Sequence, residues 1–119
     1  MVKLSIFVQR RADLSREQFA DYWMNVHWPL VRSVPEVQQY TRRYVQLHPI
    51  LVPKGLPVAP YDGIGEAWFD SAGDILKLVG SMGWTEIVQK DDLNFLDPSK
   101  TRILISEEKV DFNFAEREG

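Results

Sequence analysis

The sequence predicts one α+β domain in which strands and helices follow in the order β-α-β-β-α-β, and three observations predict it. Residues 2–8 alternate at period two and form a strand. Residues 15–30 repeat apolar side chains at helical spacing behind a capping box. After two further strand-like stretches, a second capped helical region begins at Ser71 and leads to a final alternating stretch. A chain of 119 residues has about the length of one typical domain, so residues 1–119 are read as one unit.

In the first strand Val2, Leu4, Ile6 and Val8 share one face, while Phe7 stands on the other. Ser15 caps the first helix, Gln18 closes the box, and Leu14 and Phe19 form a hydrophobic staple. Phe19, Tyr22, Trp23, Val26 and Leu30 then make the apolar stripe. Pro29 disfavours helical geometry at Trp28, so the helix is expected to end near His27 or Trp28. Val37 to His48 reads as a long second strand, with Tyr40 and Tyr44 on one face.

Residues 49–61 hold four of the seven prolines together with Ile50, Leu51, Val52, Leu56 and Val58, an apolar loop expected to lie over something. Asp62 to Asp70 is a short strand whose glycines point to a bulge or a close backbone approach. Ser71 with Asp74 caps the second helix, whose inward stripe is Ile75, Leu78, Val79 and Met82, and Gly83 ends or kinks it. Trp84 to Leu93 is a further helical stretch capped by Thr85, with Ile87 and Val88 inward. Arg102 to Phe114 is the last strand, and Ala115–Gly119 is a polar tail.

That order is the split βαβ arrangement of ferredoxin-like folds. Right-handed crossovers put both helices on one face of a four-stranded antiparallel sheet. The other face stays bare, with Phe7 and the aromatics of the second strand exposed on it. A second copy packing sheet against sheet would cover such a patch, which predicts a homodimer.

Composition removes several classes of function. Apolar residues are 45% and charged residues 26%, as in soluble globular domains. No apolar run approaches the ~20 residues of a membrane helix, and no signal-peptide stretch opens the chain, so a cytoplasmic protein without membrane contact is expected. Zero cysteines exclude disulfides and thiolate chemistry, and two histidines, His27 and His48, leave little for a metal site. A net charge of −3 gives no reason to expect nucleic acid as partner. Residues 1–60 hold eight Lys/Arg against four Asp/Glu, and residues 61–119 hold six against thirteen. That asymmetry either averages out within one fold or serves complementarity between subunits. No cofactor motif is present: no phosphate-binding glycine loop, no nucleophile elbow and no HExxH.

His27 is the first candidate for chemistry. It follows Trp23 by four residues on the apolar side of the helix, at the expected helix end, with Trp28 beside it. It is either a hydrogen-bonded core residue or a general acid–base. Glu66, between Gly65 and Ala67 on the face of Ile64 and Trp68, is an exposed strand residue, an ion-pair partner or an acid–base of raised pKa. Tyr40 is an ordinary strand aromatic or a hydrogen-bond donor to a carbonyl. Tyr22, Trp23, Trp28 and Trp68 are the candidate substrate contacts. His48, at a strand end before Pro49, is expected to be exposed. Asp91 and Asp92 read as a solvated face or cap, because consecutive helical residues do not face each other.

The stretch Leu14-Ser15-Arg16-Glu17-Gln18-Phe19-Ala20-Asp21-Tyr22-Trp23-Met24-Asn25-Val26-His27-Trp28-Pro29-Leu30 resembles the EthD-domain family. The family pattern is Leu-Ser-x-Glu-x-Phe-x-x-Tyr-Trp-x-x-x-His-x-Pro-Leu after Arg-Arg-x-Asp, and Arg10, Arg11 and Asp13 complete it here. Trp28 stands where the family often has a small residue and would narrow the space beside His27. The resemblance continues through Pro35, Val37, Tyr40, Asp62 to Phe69 and Asp97 to Glu108.

The resemblance implies a dimeric α+β barrel, two ferredoxin-like units joined through their sheets, with a pocket in each subunit. Similar domains include polyketide-associated dehydratases and a methylmuconolactone isomerase. The isomerase's histidine, tyrosine and cysteine fall at His27, Tyr40 and Ala67, and alanine at that place speaks against that particular chemistry. The expectation is therefore a cofactor-independent lyase or isomerase that dehydrates, cyclises or isomerises a small hydrophobic oxygenated ring compound, with His27, Tyr40 and Glu66 as catalytic residues. The alternatives are a non-catalytic module holding the same kind of ligand and, third, a cofactorless oxygenase or haem-handling protein.

Overall fold

The computed structural model describes residues 1–116. Strands β1 (Val2–Val8), β2 (Arg43–Leu47), β3 (Gly63–Phe69) and β4 (Arg102–Glu107) form one sheet in the order β2-β3-β1-β4, and every neighbouring pair is antiparallel. The register sets Leu4 opposite both Ala67 and Ile105, and Tyr44 opposite Ala67. Val2, Leu4, Ile6 and Val8 therefore share a face with Gly63, Gly65, Ala67, Phe69 and Tyr44. Helices cover that face, and Leu4, Val31, Val34, Val37, Phe69, Ile75, Leu78 and Val88 form its main core. A second cluster, Val8, Phe19, Trp23, Phe95 and Leu96, closes one end. This is the expected α+β architecture of ferredoxin-like type. Among the described residues no helix is long and apolar enough to cross a membrane.

The capping box forms as its residues dictate: Ser15 Oγ accepts from the Gln18 amide at 3.1 Å, and Gln18 Oε1 accepts from the Ser15 amide at 2.8 Å. It starts α1 (Arg16–Tyr22). Pro29 does not stop the helix. A wide π turn at Trp23–His27 joins α1 to α2 (Trp28–Ser33), and the Trp28 amide donates to the Trp23 carbonyl. Proline has no amide to donate, and its ring clashes with the preceding turn, so a turn with one extra residue absorbs the mismatch. The extra residue rotates the stripe: Val26 is exposed, while His27 and Val31 take inward places.

The second strand is shorter than expected. Residues Pro35–Tyr40 form helix α3, and β2 starts only at Arg43. Extended Val34, Pro35 at the first turn and acidic Glu36 make a sound helix start, and the alternation beginning at Val37 masks it. Tyr40 is thus a helical residue, and Tyr44 faces the helices, so neither aromatic lies on the bare sheet face. That face carries Lys3, Ser5, Phe7, Arg43, Val45, Leu47, Ile64, Glu66, Trp68 and Leu104.

In the second half, Ser71 caps α4 (Ala72–Val79), which ends at Gly80, before Gly83. Ile75 and Leu78 are buried and Val79 packs beside them, but Met82 lies beyond the helix and is exposed. Another π turn, Trp84–Val88, leads into α5 (Gln89–Asp92). Ser81, not Thr85, caps it, accepting from the Trp84 amide at 3.2 Å, and Val88 is buried while Ile87 is exposed. β4 ends at Glu107; Phe112 and Phe114 lie past the strand and are exposed, Phe114 opening a short 3-10 turn to Glu116. Residues 117–119 of the expected tail lie outside the described residues. The apolar loop 49–61 does not cover the chain's own surface: Ile50, Leu51, Val52, Leu56 and Val58 are all exposed.

Candidate active site

The two π turns determine what meets between the helices. The first delivers His27 to the interior at 7% exposure. The second precedes Asp91 and Asp92, which reach the same ring from opposite sides. His27 Nδ1 stands 2.7 Å from Asp91 Oδ2, and His27 Nε2 stands 3.4 Å from Asp92 Oδ1. Adjacent helical residues diverge, and here the imidazole spans the gap between them. The pair is not a solvated face.

Asp91 is the anchor. Its Oδ1 accepts from the Tyr22 hydroxyl at 2.6 Å and from Asn94 Nδ2 at 3.1 Å, in addition to the His27 contact. Burial alone would raise its pKa, but the hydrogen bonds from Tyr22, His27 and Asn94 hold it below the ordinary carboxylate value. Asp91 is therefore a carboxylate and accepts the Nδ1 proton of His27. Burial lowers the pKa of His27, and Asp91 opposes that shift without reversing it. The ring is neutral at pH 7, with Nδ1 protonated and the lone pair on Nε2.

Asp92 behaves differently. Desolvation, then the charge of Asp91, raises its pKa to about 7. The two neighbouring carboxyls are thus driven apart, one ionised and one able to carry a proton.

His27 and Asp92 both line a cavity of about 400 Å³ between helices and sheet. Its walls are largely apolar, with Leu4, Ile6, Phe69, Ile75 and Leu78 among them. Trp28 lies flat on Tyr44 in the wall, with ring centroids 4.1 Å apart and planes 5° from parallel. Burial pushes the Tyr44 hydroxyl up to about 12. Gly63 and Gly65 allow Trp23 to lie against β3: a Cβ at Gly63 would stand 2.5 Å from the indole. This is the close approach that the glycines of the third strand suggested. Leu76, Ile103 and Ile105 line the cavity yet stay exposed, which places its open side along β4. Among the described residues no three His, Asp or Glu side chains are placed to hold a metal ion.

Trp23 and Trp28 thus line the cavity, and Tyr22 supports it through Asp91. Tyr40 packs against the core beside it and is not part of the lining. Glu66 and Trp68 stand on the opposite face of the sheet. Glu66 accepts from Ser5 Oγ at 3.4 Å and pairs with Lys3 at 2.9 Å. The Lys3 and Arg43 cations lie 5.4 and 4.6 Å from the Trp68 ring centroid, and Trp68 Nε1 donates to Glu108 at 2.6 Å. The carboxylates beside His27 are Asp91 and Asp92, and Tyr44 is the tyrosine in the wall. His48 is half-buried, its ring 4.7 Å from Trp23.

The arginine pattern ahead of α1 has a structural use. Arg10 pairs with Asp62 at 2.6 Å and donates to the Leu14 carbonyl, fastening the start of α1 to the start of β3. The EthD domain profile matches residues 11–99, well over half of the chain. The chain belongs to the EthD family. In this EthD domain the family pattern builds the seat of the histidine: Ser15 starts the helix, Phe19 and Trp23 pack its inner face, Tyr22 binds Asp91, and Pro29 follows the wide turn.

The chain is similar in fold to an EthD family protein from Bacillus halodurans, with a TM-score of 0.69 and 21% identity over 92% of this chain and 99% of that one. An EthD-like protein from Ralstonia eutropha gives a TM-score of 0.66 and 17% identity over 89% of each chain. A dimeric protein of ferredoxin-like fold from Bacteroides fragilis gives 0.63 and 14% over 90% of this chain and 95% of that one. No curated protein matches the chain.

Proposed function

We propose that this EthD chain is an acid–base enzyme of the lyase or isomerase type, acting on a small hydrophobic oxygenated ring compound, with His27 as the group that moves the proton. One observation carries this reading: Asp91 holds Nδ1 of His27 at 2.7 Å, while His27, its Nε2 3.4 Å from Asp92 Oδ1, lines an apolar cavity of about 400 Å³. A neutral imidazole with a defined tautomer, in a site poor in water, is the form that removes a proton from carbon next to a carbonyl. Side chains alone supply such a step. Trp23, Trp28 and Tyr44 contact the flat body of the substrate, and Tyr22 acts through Asp91. Tyr40 and Glu66 have no part in the step.

Residues 1–119 act as one domain and pair with a second copy through the bare sheet face, where Phe7, Val45, Leu47, Ile64, Trp68 and Leu104 cluster. The dimeric relative from Bacteroides fragilis supports the presence of a second copy.

The test is His27→Ala, read as exchange of the α-protons of 2-tetralone in heavy water. The variant is expected to fold, dimerise and lose exchange by a factor on the order of 10²–10⁴. A wild type that binds the ketone without exchanging its protons would instead mark a binding module. A collapsed melting temperature in the variant would make His27 a packing residue.

A further inference from the structure

The hydrogen bonds to Asp91 account for one side of the His27 ring. They leave unexplained why a second, less satisfied carboxyl lies against the other side. Asp92 Oδ1 is 3.4 Å from Nε2, its side chain is 25% exposed, and it lines the same cavity. Among the described residues no side chain donates a hydrogen bond to Asp92, whereas Asp91 has three donors. We propose that Asp92 is a second catalytic residue, the acid partner of His27, and that the substrate is a neutral β-hydroxy carbonyl compound from which the pair removes water. The inference rests on the reading of His27 given above.

The step balances within the pair. Neutral His27 takes the α-proton at Nε2, and the C–H electrons form the new C=C bond. The β C–O bond breaks with its electrons, and the departing oxygen takes the proton of Asp92 and leaves as water. His27 is then cationic and Asp92 ionised, and the proton crosses from Nε2 to Oδ1 over the 3.4 Å between them, restoring both. No outside acid or base is consumed.

The surroundings support the division of labour. Asp91 on the same helix, Tyr22 from α1 and Tyr44 from β2 are the titratable groups around the pair. Tyr22 binds Asp91, and both tyrosines stay protonated, their pKa values raised first by burial. Asp91 stays ionised, and its charge in a desolvated site keeps the proton on Asp92 near neutral pH.

The probe is 3-hydroxy-1-tetralone, a neutral two-ring β-hydroxyketone that loses water to give 1-naphthol. Two readouts are followed: exchange at C2 by proton NMR in heavy water, and naphthol by fluorescence. The wild type is expected to do both, and His27→Ala to lose both. Asp92→Asn is expected to lower dehydration on the order of 100-fold or more and C2 exchange by a much smaller factor. Asp92→Ser, read in the same assays, is the second variant should the amide not fold. The proposal is overturned if both Asp92 variants dehydrate at the wild-type rate, or if they lose exchange and dehydration equally. A wild type that exchanges C2 and forms no naphthol removes the role of Asp92 and leaves that of His27. A wild type that does neither removes both.

Discussion

His27 and Asp91 are 64 positions apart in the chain and 2.7 Å apart in the fold. Everything else at the site hangs on that contact, because the carboxylate selects which ring nitrogen carries the proton. The same carboxylate also gathers the Tyr22 hydroxyl and the Asn94 amide.

Removing it therefore separates structure from tautomer. Asp91→Ala leaves three donors without an acceptor at about 1–3 kcal/mol for each that stays unsatisfied. A fall in Tm of roughly 10 °C is expected for a loss on the order of 3 kcal/mol, measured by calorimetry. Asp91→Asn keeps an acceptor oxygen for Tyr22 and is expected to fold better than the alanine variant. Ketone exchange is still expected to fall, since the amide offers the ring a weaker and less selective partner. Equal stability of wild type and Asp91→Ala would show that the cluster does not hold the helices together.

Asp92 carries a stability cost with a defined pH window. Its ordinary pKa of 3.8 in the unfolded chain rises to about 7 in the fold, so between those values the folded state binds the extra proton. Stability from this group is fully present below pH 3.8 and is lost as pH rises through 7. Asp92→Asn is thus expected to raise Tm at pH 8, by at most about 4 kcal/mol in free energy, and to change it little near pH 4. His27 runs the other way: its pKa is lowered from 6.5, so its contribution is lost as pH falls below that value. Comparing variant with wild type at each pH largely removes that contribution. A variant less stable than the wild type at pH 8 would contradict this account.

Much of the frame is legible locally, and the site is not. Ser15 and Gln18 lie three residues apart and close their box without help from the rest of the chain; Ser71 and Asp74 do likewise. The faces of β1 and β3 follow from their alternation. Pro29 marks a disturbance in the helix, but whether the chain stops or widens there depends on whether Trp23, His27 and Val31 find a common interior to enter. Val34-Pro35-Glu36 carries a helix start that the following alternation hides. Asp91 and Asp92 look like any exposed acidic pair until a π turn with no proline to announce it turns them toward His27. Glu66 sits between small residues near the right sequence motif, yet strand parity places it on the other side of the sheet.

The glycines of β3 give a paired prediction. At Gly63 a Cβ would meet Trp23 at 2.5 Å and the Leu47 carbonyl at 2.8 Å, whereas at Gly65 the nearest atom is Trp23 at 3.6 Å. Gly63→Ala is expected to cost about 1–3 kcal/mol in chemical denaturation, and Gly65→Ala well under 1. Equal effects would mean that Trp23 is not seated against β3 as described.

The dimer prediction concerns the bare sheet face. Light scattering is expected to give twice 13.8 kDa at micromolar concentration. Phe7→Glu, which puts a charge opposite Ile64 and Arg102 on that face, is expected to give the single-chain mass. A monomeric wild type would remove the sheet-to-sheet pairing.

His27 is expected to present an unprotonated Nε2 to the cavity because Asp91 holds the proton on Nδ1. Nitrogen-15 NMR of the imidazole at pH 7.5 reads that state directly, through the shifts of the two ring nitrogens and their couplings to the ring carbon protons. A neutral ring protonated at Nδ1 is expected, moving toward the other tautomer in Asp91→Asn. A wild-type ring that is cationic at this pH, or neutral with its proton on Nε2, would contradict that expectation.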